Sequence, residues 1–361
     1  MHHPAGMPNL HNISAWHAYK RPLFSPQAGF TLVELLVAMV IGLLVMVGAA
    51  QLFISSQQSF RFQSALADMQ DTGRFAMDTL SHELRQADYS GGCAPNQTTV
   101  HLRNVANASN PPHSLEAWSD ASTTAFAADL TNPLAGQHGL AFRGALITRT
   151  GFADESLEIS SVDSDQQITL NRSLHSLFSG QLVLLQGMQS CDIFYNTAAN
   201  LSLLQKSSSG GWLGNVAANN SPWGNTGGLA YSAEQNVSLS ALSSAIYYIG
   251  QDVNNANTPA LMRLDISQTT TRNEVLASNV VAMRTRFLVD EQYLPPDDLD
   301  QAQWANVRAI RISLIVQSDQ DSLRRADTIL NVGNFRGDDA FRAEDGRLYQ
   351  AFTTTVTLRN R

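Results

Sequence analysis

The stretch Gly29-Phe30-Thr31-Leu32-Val33-Glu34-Leu35-Leu36-Val37-Ala38-Met39-Val40-Ile41 opens a run that stays apolar almost without interruption to Phe53. A helix of about 20 apolar residues crosses a hydrocarbon core of roughly 30 Å, so residues 30–53 are long enough to span a membrane. One charged residue, Glu34, interrupts the run near its start. Because a carboxylate in hydrocarbon is costly unless it is paired, Glu34 predicts both a partner and a function.

The string Gly29-Phe30-Thr31-Leu32-Val33-Glu34 resembles the class III signal of type IV pilins and pseudopilins. The resemblance implies that a membrane peptidase cuts after Gly29 and methylates the new amino terminus at Phe30. Residues 1–29 would then be a cleaved leader peptide. The resemblance also implies that Glu34 is the carboxylate on which assembly of these proteins depends.

Helix geometry supports this role for Glu34 independently. Residues four apart lie on one helix face, so cleavage would place the positive α-amine of Phe30 one turn from Glu34. That amine, in the same or a neighbouring subunit, can neutralise a carboxylate whose unpaired insertion costs at least about 2.5–3.5 kcal/mol. We therefore expect Glu34 to direct lateral assembly. The alternative is an ordinary signal anchor that tolerates a glutamate.

The chain contains two cysteines, Cys93 and Cys191, and the predicted orientation decides their chemistry. Lys20 and Arg21 precede the apolar run, so the positive-inside rule places the N-terminus in the cytoplasm. Everything after Phe53 then lies outside, where disulfides persist. We predict a disulfide between the two cysteines; the alternative is two buried free thiols, because sequence alone does not prove connectivity.

The composition argues against direct binding of nucleic acid. The 361 residues carry a formal net charge of -8, and only Lys20 and Lys206 are lysines. No basic stripe of the kind that nucleic-acid binding requires is evident in the sequence.

Residues 54–88 are predicted to continue the helix in amphipathic form, up to Tyr89-Ser90-Gly91-Gly92. Apolar residues recur there at three- and four-residue steps, which is typical of a buried helix face. This stripe consists of Phe62, Leu66, Met69, Met77, Leu80 and Leu84, with Gly73 on the same face. Asp71, Arg74, Asp78 and His82 lie mostly off it, at charge-pairing intervals. We expect the globular domain to rest on the stripe.

The chain from residue 89 to residue 361 is predicted to form a single head domain rich in β-strands. Alternating or β-rich segments bounded by turn residues predict the strands. These segments are Gly139–Arg149, Ser156–Val162, Gln167–Leu170, Gln181–Gln186, Cys191–Tyr195, Ser244–Ile249, Leu261–Asp265, Glu274–Asp290, Val307–Gln317 and Phe352–Arg359.

Two segments of the head, Asn104–Pro133 and Ser207–Gln235, are predicted to be irregular because they are rich in turn-forming residues. Trp212 and Trp223 lie in the second segment. We expect these two side chains to hold the loop against the domain. The alternative is that they anchor a partner, since tryptophan is enriched at interfaces.

Several further strings, in their order along the chain, resemble the PilW family of minor type IV pilins. They are Ser81-His82-Glu83-Leu84-Arg85-Gln86-Ala87-Asp88-Tyr89 followed by Gly92-Cys93, Ile246-Tyr247-Tyr248-Ile249-Gly250, Leu261-Met262-Arg263, Trp304-Ala305-Asn306-Val307-Arg308-Ala309-Ile310-Arg311-Ile312-Ser313-Leu314, and Phe352-Thr353-Thr354-Thr355-Val356-Thr357-Leu358-Arg359-Asn360-Arg361. The resemblance implies an α+β lollipop, with a long N-terminal helix packed on an antiparallel β-rich head. It also implies an inner-membrane protein of a Gram-negative bacterium with a periplasmic head, which enters the pilus after assembly.

The same resemblance implies a role in priming and capping the pilus filament, and thereby in twitching motility and adhesion. The implied partners are other minor pilins, the major pilin, a large tip adhesin, the prepilin peptidase and the inner-membrane assembly platform. A J-type pseudopilin of type II secretion is the alternative, but the threonine-rich C-terminal strand and the larger head favour PilW. A ligand-binding adhesin and a membrane-anchored periplasmic enzyme remain as further alternatives.

No catalytic residues are predicted, and we expect the protein not to be an enzyme. His82-Glu83 begins a zincin-like string, but Gln86 occupies the place of the second histidine ligand. The segment from Asp290 to Asp300 forms an acidic loop in which calcium could bind. Unlike an EF-hand, it contains Pro295-Pro296 and no glycine within the acidic cluster, so a solvated loop without a cofactor is favoured.

Overall fold

The computed structural model describes residues 29–103, 114–147, 153–164, 166–208, 211–216, 222–224, 231–253, 255, 258–319, 341, 343 and 345–360. The chain forms two compact units, residues 1–59 and residues 60–361. The predicted leader lies outside the described residues except for Gly29, and parts of the two predicted irregular segments also lie outside them.

The longest element is the helix α1 (Leu32–Gln86), which begins in the first unit and ends in the second. It runs unbroken through Gly42 and Gly48, although glycine costs a helix about 1 kcal/mol relative to alanine. The helix ends two residues before the predicted boundary at Asp88. Asp88 itself has a φ of 64°, the left-handed conformation that commonly terminates a helix.

In the second unit, α1 buries one face and exposes the other, as the apolar stripe predicts. The buried residues are Ala65, Met69, Gly73, Ala76, Met77, Leu80, Ser81 and Leu84. Two predicted stripe residues differ, because Phe62 is 41% exposed and Leu66 is only half-buried. The predicted face is otherwise confirmed, with alanine and serine side chains adding to it.

Two sheets follow the helix within the described part of the chain. The first contains eleven strands: β1 (Thr98–Val100), β2 (Leu115–Trp118), β3 (Gly139–Leu146), β4 (Ala153–Ser164), β5 (Gln167–Leu170), β6 (Leu182–Gln186), β7 (Cys191–Tyr195), β8 (Leu203–Gln205), β9 (Asn236–Gln251), β10 (Pro259–Asp265) and β11 (Arg272–Ser278). The second contains β12 (Val280–Val289), β13 (Gln292–Leu294), β14 (Ala309–Gln317) and β15 (Tyr349–Thr357). A short helix, α2 (Gln301–Ala305), lies between β13 and β14.

The 16-residue strand β9 is the centre of the first sheet. Its first part pairs with β4 and β6, and its second part pairs with β3 and β10. The second sheet has the order β13-β12-β14-β15. Every described strand pair is antiparallel except β1 with β7, so the predicted α+β class with antiparallel sheets is confirmed.

Two strand predictions were wrong. The segment Glu274–Asp290, predicted as one long strand, is divided at Asn279 between β11 of the first sheet and β12 of the second. Asn279 has a φ of 63°, and asparagine tolerates this left-handed conformation better than most residues, so the chain changes sheets there. Strand β2 lies inside the segment predicted to be irregular, and it pairs with β3.

One hydrophobic cluster joins α1 to both sheets. It includes Leu80 and Leu84 from the helix, Phe142 and Tyr247 from the first sheet, and side chains of β12, β14 and β15 from the second. The alternating residues of β14 that the sequence places on one face are all fully buried here: Ile310, Ile312, Leu314 and Val316. The helix therefore supplies the common core on which the two sheets meet.

Gly73 of α1 lies directly against the ring of Phe352 on β15. A Cβ atom built at Gly73 would lie 2.3 Å from a carbon of that ring, a separation that real atoms do not reach. Glycine is therefore required at this position by the approach of the strand to the helix, and not by backbone conformation.

A buried arginine joins the helix to the first sheet by charge. Arg263 on β10 forms ion pairs with Asp265 at 2.9 Å and with Glu83 of α1 at 3.5 Å. Glu83 also accepts a hydrogen bond from the hydroxyl of Tyr247. Burial, followed by the negative charge of Glu83, holds the pKa of Tyr247 well above its ordinary value.

We predict that Gly73→Ala lowers the free energy of unfolding by about 1–3 kcal/mol, the usual cost of overpacking a core. Denaturation of the full-length protein in detergent measures this loss. Arg74→Ala, on the exposed side of the same helix turn, is the matched control and should leave stability nearly unchanged. Combining Gly73→Ala with Phe352→Ala should cost less than the sum of the single changes, and strict additivity would contradict the contact.

We also predict that Asp265 makes the stability of the fold depend on pH in the acidic range. Burial works to raise the pKa of Asp265, but the charge of Arg263 and hydrogen bonds from Arg263 and Ser267 outweigh it and hold the pKa below its ordinary value. Such a carboxyl group stabilises the fold above its unfolded pKa, and this contribution is lost as pH falls through the native pKa. The melting temperature should therefore fall less steeply between about pH 5 and pH 2 in Asp265→Asn than in the wild type. Equal slopes in the two proteins would contradict the prediction.

Candidate assembly site

The predicted assembly motif lies at the start of α1. The hydroxyl of Thr31 accepts a hydrogen bond from the backbone N–H of Glu34 at 3.3 Å, directly before the first helical residue. Thr31 is therefore the N-cap and Glu34 the third helical residue, which is the spacing of a capping box. A carboxylate in the first turn is also favoured by the helix dipole. The Thr-x-x-Glu spacing in the sequence indicates this helix cap. The resemblance to a signal peptide does not by itself predict the cap.

The part of α1 in the first unit exposes apolar side chains. An 18-residue window of the helix has a mean hydropathy of 2.6 and contains no buried residue. Leu44 and Met46, for example, are 68% and 72% exposed. A contiguous apolar surface of this extent marks a membrane or protein contact, and the length and composition suit a membrane span.

Glu34 lies exposed on this apolar helix, one turn after Phe30. In the uncleaved chain the nitrogen of Phe30 is still part of the peptide bond to Gly29, so the cation expected to pair with Glu34 is created only by processing. Cleavage after Gly29, methylation of Phe30 and the pairing of Glu34 therefore stay predictions.

The predicted disulfide between Cys93 and Cys191 is confirmed. The two Cα atoms lie 6.4 Å apart, and the bond joins residues 98 positions apart in sequence. Cys191 begins β7, and Cys93 lies in the segment that follows α1. The bond therefore attaches the segment leaving the helix to the first sheet, beside the parallel pairing of β1 with β7.

A buried polar cluster surrounds Asp192, which directly follows the disulfide-bonded Cys191. Its carboxylate lies 2.5 Å from Nε2 of His101 and accepts hydrogen bonds from the hydroxyl of Tyr231 at 2.6 Å and the backbone N–H of Gly224 at 2.9 Å. Burial, followed by the charge of Asp192, holds the pKa of Tyr231 well above its ordinary value. His101 precedes Asp192 by 91 positions, and no local pattern in the sequence indicates their contact.

The described parts of the loop at residues 207–235 are held by both tryptophans, as expected. Trp223 packs against His101 with ring centroids 5.7 Å apart, and Nζ of Lys206 lies 4.6 Å from the centre of the Trp223 ring. Trp212 donates a hydrogen bond from Nε1 to Asp129 and packs on Phe126. Both rings therefore serve the fold of the second unit.

The zincin-like string is used for local structure. His82 lies 2.8 Å from the amide nitrogen of Gln86, and Glu83 contacts Tyr247 and Arg263. Within the described residues, no group of three or more histidine, cysteine, aspartate or glutamate side chains is placed to hold a metal ion.

The acidic loop is built from turn and cap residues. Asp290 and Glu291 have φ values of 46° and 66°, and they form the two-residue turn between β12 and β13. Asp300 caps α2 through a capping box with Gln303, and Asp297 accepts a hydrogen bond from Ser119. Calcium binding at this loop stays untested.

Two known families match parts of this chain. Residues 24–50 match the prokaryotic N-terminal methylation motif, and residues 246–360 match the Type IV Pilus-assembly protein W family, PilW. No curated protein sequence and no solved structure gives a significant match. The first match covers the signal string and the first part of the exposed helix, and these two features indicate a membrane-anchored protein associated with pili.

The second match covers the last part of β9 and all of β10 to β15. Together with the methylation motif, this match over the C-terminal third of the chain supports a PilW-like minor pilin of the type IV pilus. Residues 51–245, which include most of the first sheet, lie outside both matches.

We predict that replacing both Cys93 and Cys191 by serine lowers the free energy of unfolding by about 4–5 kcal/mol, the loop-closure value for a loop of roughly 100 residues. Urea denaturation of the full-length protein in detergent measures the loss. Wild-type protein treated with a reductant is the matched control and should lose a similar amount. Alkylation of both cysteines in the wild type without a reductant would show that the bond is not formed in the cell.

Proposed function

We propose that this PilW-like protein acts in a minor-pilin complex that primes the type IV pilus and remains at the filament tip. Processing removes residues 1–29 and methylates Phe30. Residues 30–53 then anchor the protein in the inner membrane of a Gram-negative bacterium, and the helix continues to Gln86. Residues 89–361 form the head in the periplasm.

The observation that carries this proposal is the position of Glu34 on an exposed apolar helix. Among the described residues, no basic side chain forms an ion pair with its carboxylate. Insertion of such a group costs at least about 2.5–3.5 kcal/mol, which pairing with the amine of a processed Phe30 would offset. Assembly of subunits therefore becomes favourable at the point where the charge is neutralised.

The proposed partners follow from membership of a minor-pilin complex. They are other minor pilins, the major pilin, a tip adhesin, the prepilin peptidase and the assembly platform of the inner membrane. The match of residues 246–360 to PilW supports this function over that of a J-type pseudopilin. Twitching motility and adhesion would be consequences of the assembled pilus.

A complementation experiment tests the proposal. In a strain that lacks the gene, the wild type should restore surface pili and co-purify with other minor pilins. Glu34→Gln should be processed to a methylated Phe30 terminus and reach the membrane, yet lose most co-purification and most pili, because it has no charge to pair with the amine. Leu35→Ala, which changes the neighbouring exposed side chain, is the matched control and should behave as the wild type. Normal piliation by Glu34→Gln would refute the proposed role of the carboxylate.

A further inference from the structure

The strand β15 forms one edge of the second sheet, because it pairs with β14 and with no other strand in the described part of the chain. It is nine residues long and contains neither a charged residue nor a proline. Its register with β14 has no bulge. Natural proteins protect edges of this length with charges, prolines or bulges, because an open edge is a template for another strand. The strand β15 has none of these protections.

Every second residue of β15 directs its backbone hydrogen-bonding groups away from the sheet. The N–H of Leu358 donates to the carbonyl of Arg308 at 3.0 Å, and these two residues continue the register of the strand pair. Hydrogen-bonded pairs alternate along an antiparallel ladder, so the even-numbered residues of β15 bond to β14. From residue 351 onward, the residues whose N–H and C=O groups point outward are Ala351, Thr353, Thr355 and Thr357.

These outward groups are open to a partner. Among the residues that the structure describes, none forms a backbone hydrogen bond to this side of β15, and the four side chains are exposed. Water solvates the groups in the free protein, but a partner that covered them without pairing them would bury unsatisfied donors and acceptors. An extended strand supplies the matching backbone groups, as in other complexes formed by strand addition.

The side of β15 that faces α1 indicates which side chains such a strand carries. Phe352 and Thr354 are only half-buried on this side. The residues directly opposite them on β14, Leu314 and Ile312, are fully buried. The core is therefore incomplete at this edge, and alternate side chains of an added strand would lie over Phe352 and beside α1. Apolar side chains at those positions would extend the core.

The direction of β15 argues against a second copy of this chain as the partner. The strand runs in the same direction as α1, because Phe352 lies against Gly73 while Asn360 bonds to Ala87, further along the helix. Two β15 strands paired antiparallel about a twofold axis would therefore set their α1 helices antiparallel. Subunits that assemble from one membrane through their N-terminal segments, as proposed above, have parallel helices instead.

We propose that the free edge of β15 accepts an extended strand from the head of another minor pilin, so that the second sheet continues into the neighbouring subunit. The inference rests on the proposed function, because it takes its partner from the minor-pilin complex. The added strand is uncharged, pairs with the backbone of residues 351–357 and places apolar side chains against Phe352. Main-chain hydrogen bonds give this contact its affinity, and the side chains that face the helix give it specificity.

Site-specific photo-crosslinking in a strain that lacks the gene tests the proposal. The full-length variant Thr355→p-benzoylphenylalanine is compared with Gln292→p-benzoylphenylalanine, which carries the same group at an exposed position of β13, the opposite edge strand. We expect irradiation to join position 355, and not position 292, to a β-strand in the head of another minor pilin, identified by mass spectrometry. The proposal is overturned by the absence of an adduct, by an adduct to a second copy or to a segment that is not a strand, or by equal crosslinking from position 292.

Edge variants show whether the backbone of β15 makes the contact. Thr355→Pro removes an outward N–H and places its ring in the path of an added strand, but it leaves the bonds to β14 intact. Co-purification of the crosslinked partner should fall about tenfold, while the melting temperature stays nearly unchanged. Thr355→Val keeps the N–H and favours a strand, so it is the matched control and should co-purify the partner as the wild type does. Normal co-purification by Thr355→Pro would contradict the proposal.

A charged variant decides the question if proline disturbs the fold. Thr353→Lys keeps every backbone donor and adds the kind of charge with which natural edges prevent pairing, so it should lose the partner to the same extent. Retention of the partner by this variant would overturn the proposal.

The same experiment keeps this result separate from the proposed function. Failure of the wild type to restore pili refutes the proposed function, whereas the crosslink from position 355 is measured whether or not pili form and decides the fate of the edge by itself. If the wild type restores pili and the two edge variants retain the partner, the proposed function stands and the role of the β15 edge is refuted.

Discussion

The buried face of α1 is the constraint on which the second unit depends. Side chains of both sheets join it in one shared core that is incomplete without the helix, and the first sheet has further hydrophobic clusters of its own. The helix in turn approaches β15 so closely at Gly73 that only a hydrogen atom fits beneath the ring of Phe352. Arg263 and Glu83 add an ionic contact at the end of the same face. Burial of apolar area supplies most of the stabilisation, and the charged groups fix how the elements meet.

The sequence predicts the helices and strands better than it predicts where the chain passes from one sheet to the other. Strands β5 and β7 have the predicted bounds, and the alternation in β14 places its buried residues correctly, because periodicity reports local exposure directly. The break at Asn279 was missed because apolar residues flank it on both sides, and the left-handed conformation of one asparagine has little effect on that pattern.

The functional features that could be predicted are likewise those formed by residues close together in the sequence or by a single possible pairing. The signal string and the Glu34 position follow from a contiguous pattern, and the disulfide follows from there being two cysteines in a segment predicted to be exported. The Asp192 cluster and the contact of Arg263 with Glu83 combine residues from distant parts of the chain, so no spacing rule indicates them. Arg263, for example, belongs to a string that resembles PilW, yet only the fold places it beside Glu83 of the helix.

The end of α1 is completed by a residue very far along the chain. The amide of Asn360 donates to the carbonyl of Ala87 at 2.8 Å, across 273 positions of sequence, and β15 immediately precedes it. Contacts between such distant residues slow folding, because most of the chain must be ordered before they form. During synthesis, the helix therefore emerges long before the strand that covers it. Its apolar face is open to wrong contacts throughout that interval, which makes early shielding by a chaperone or the membrane surface advantageous.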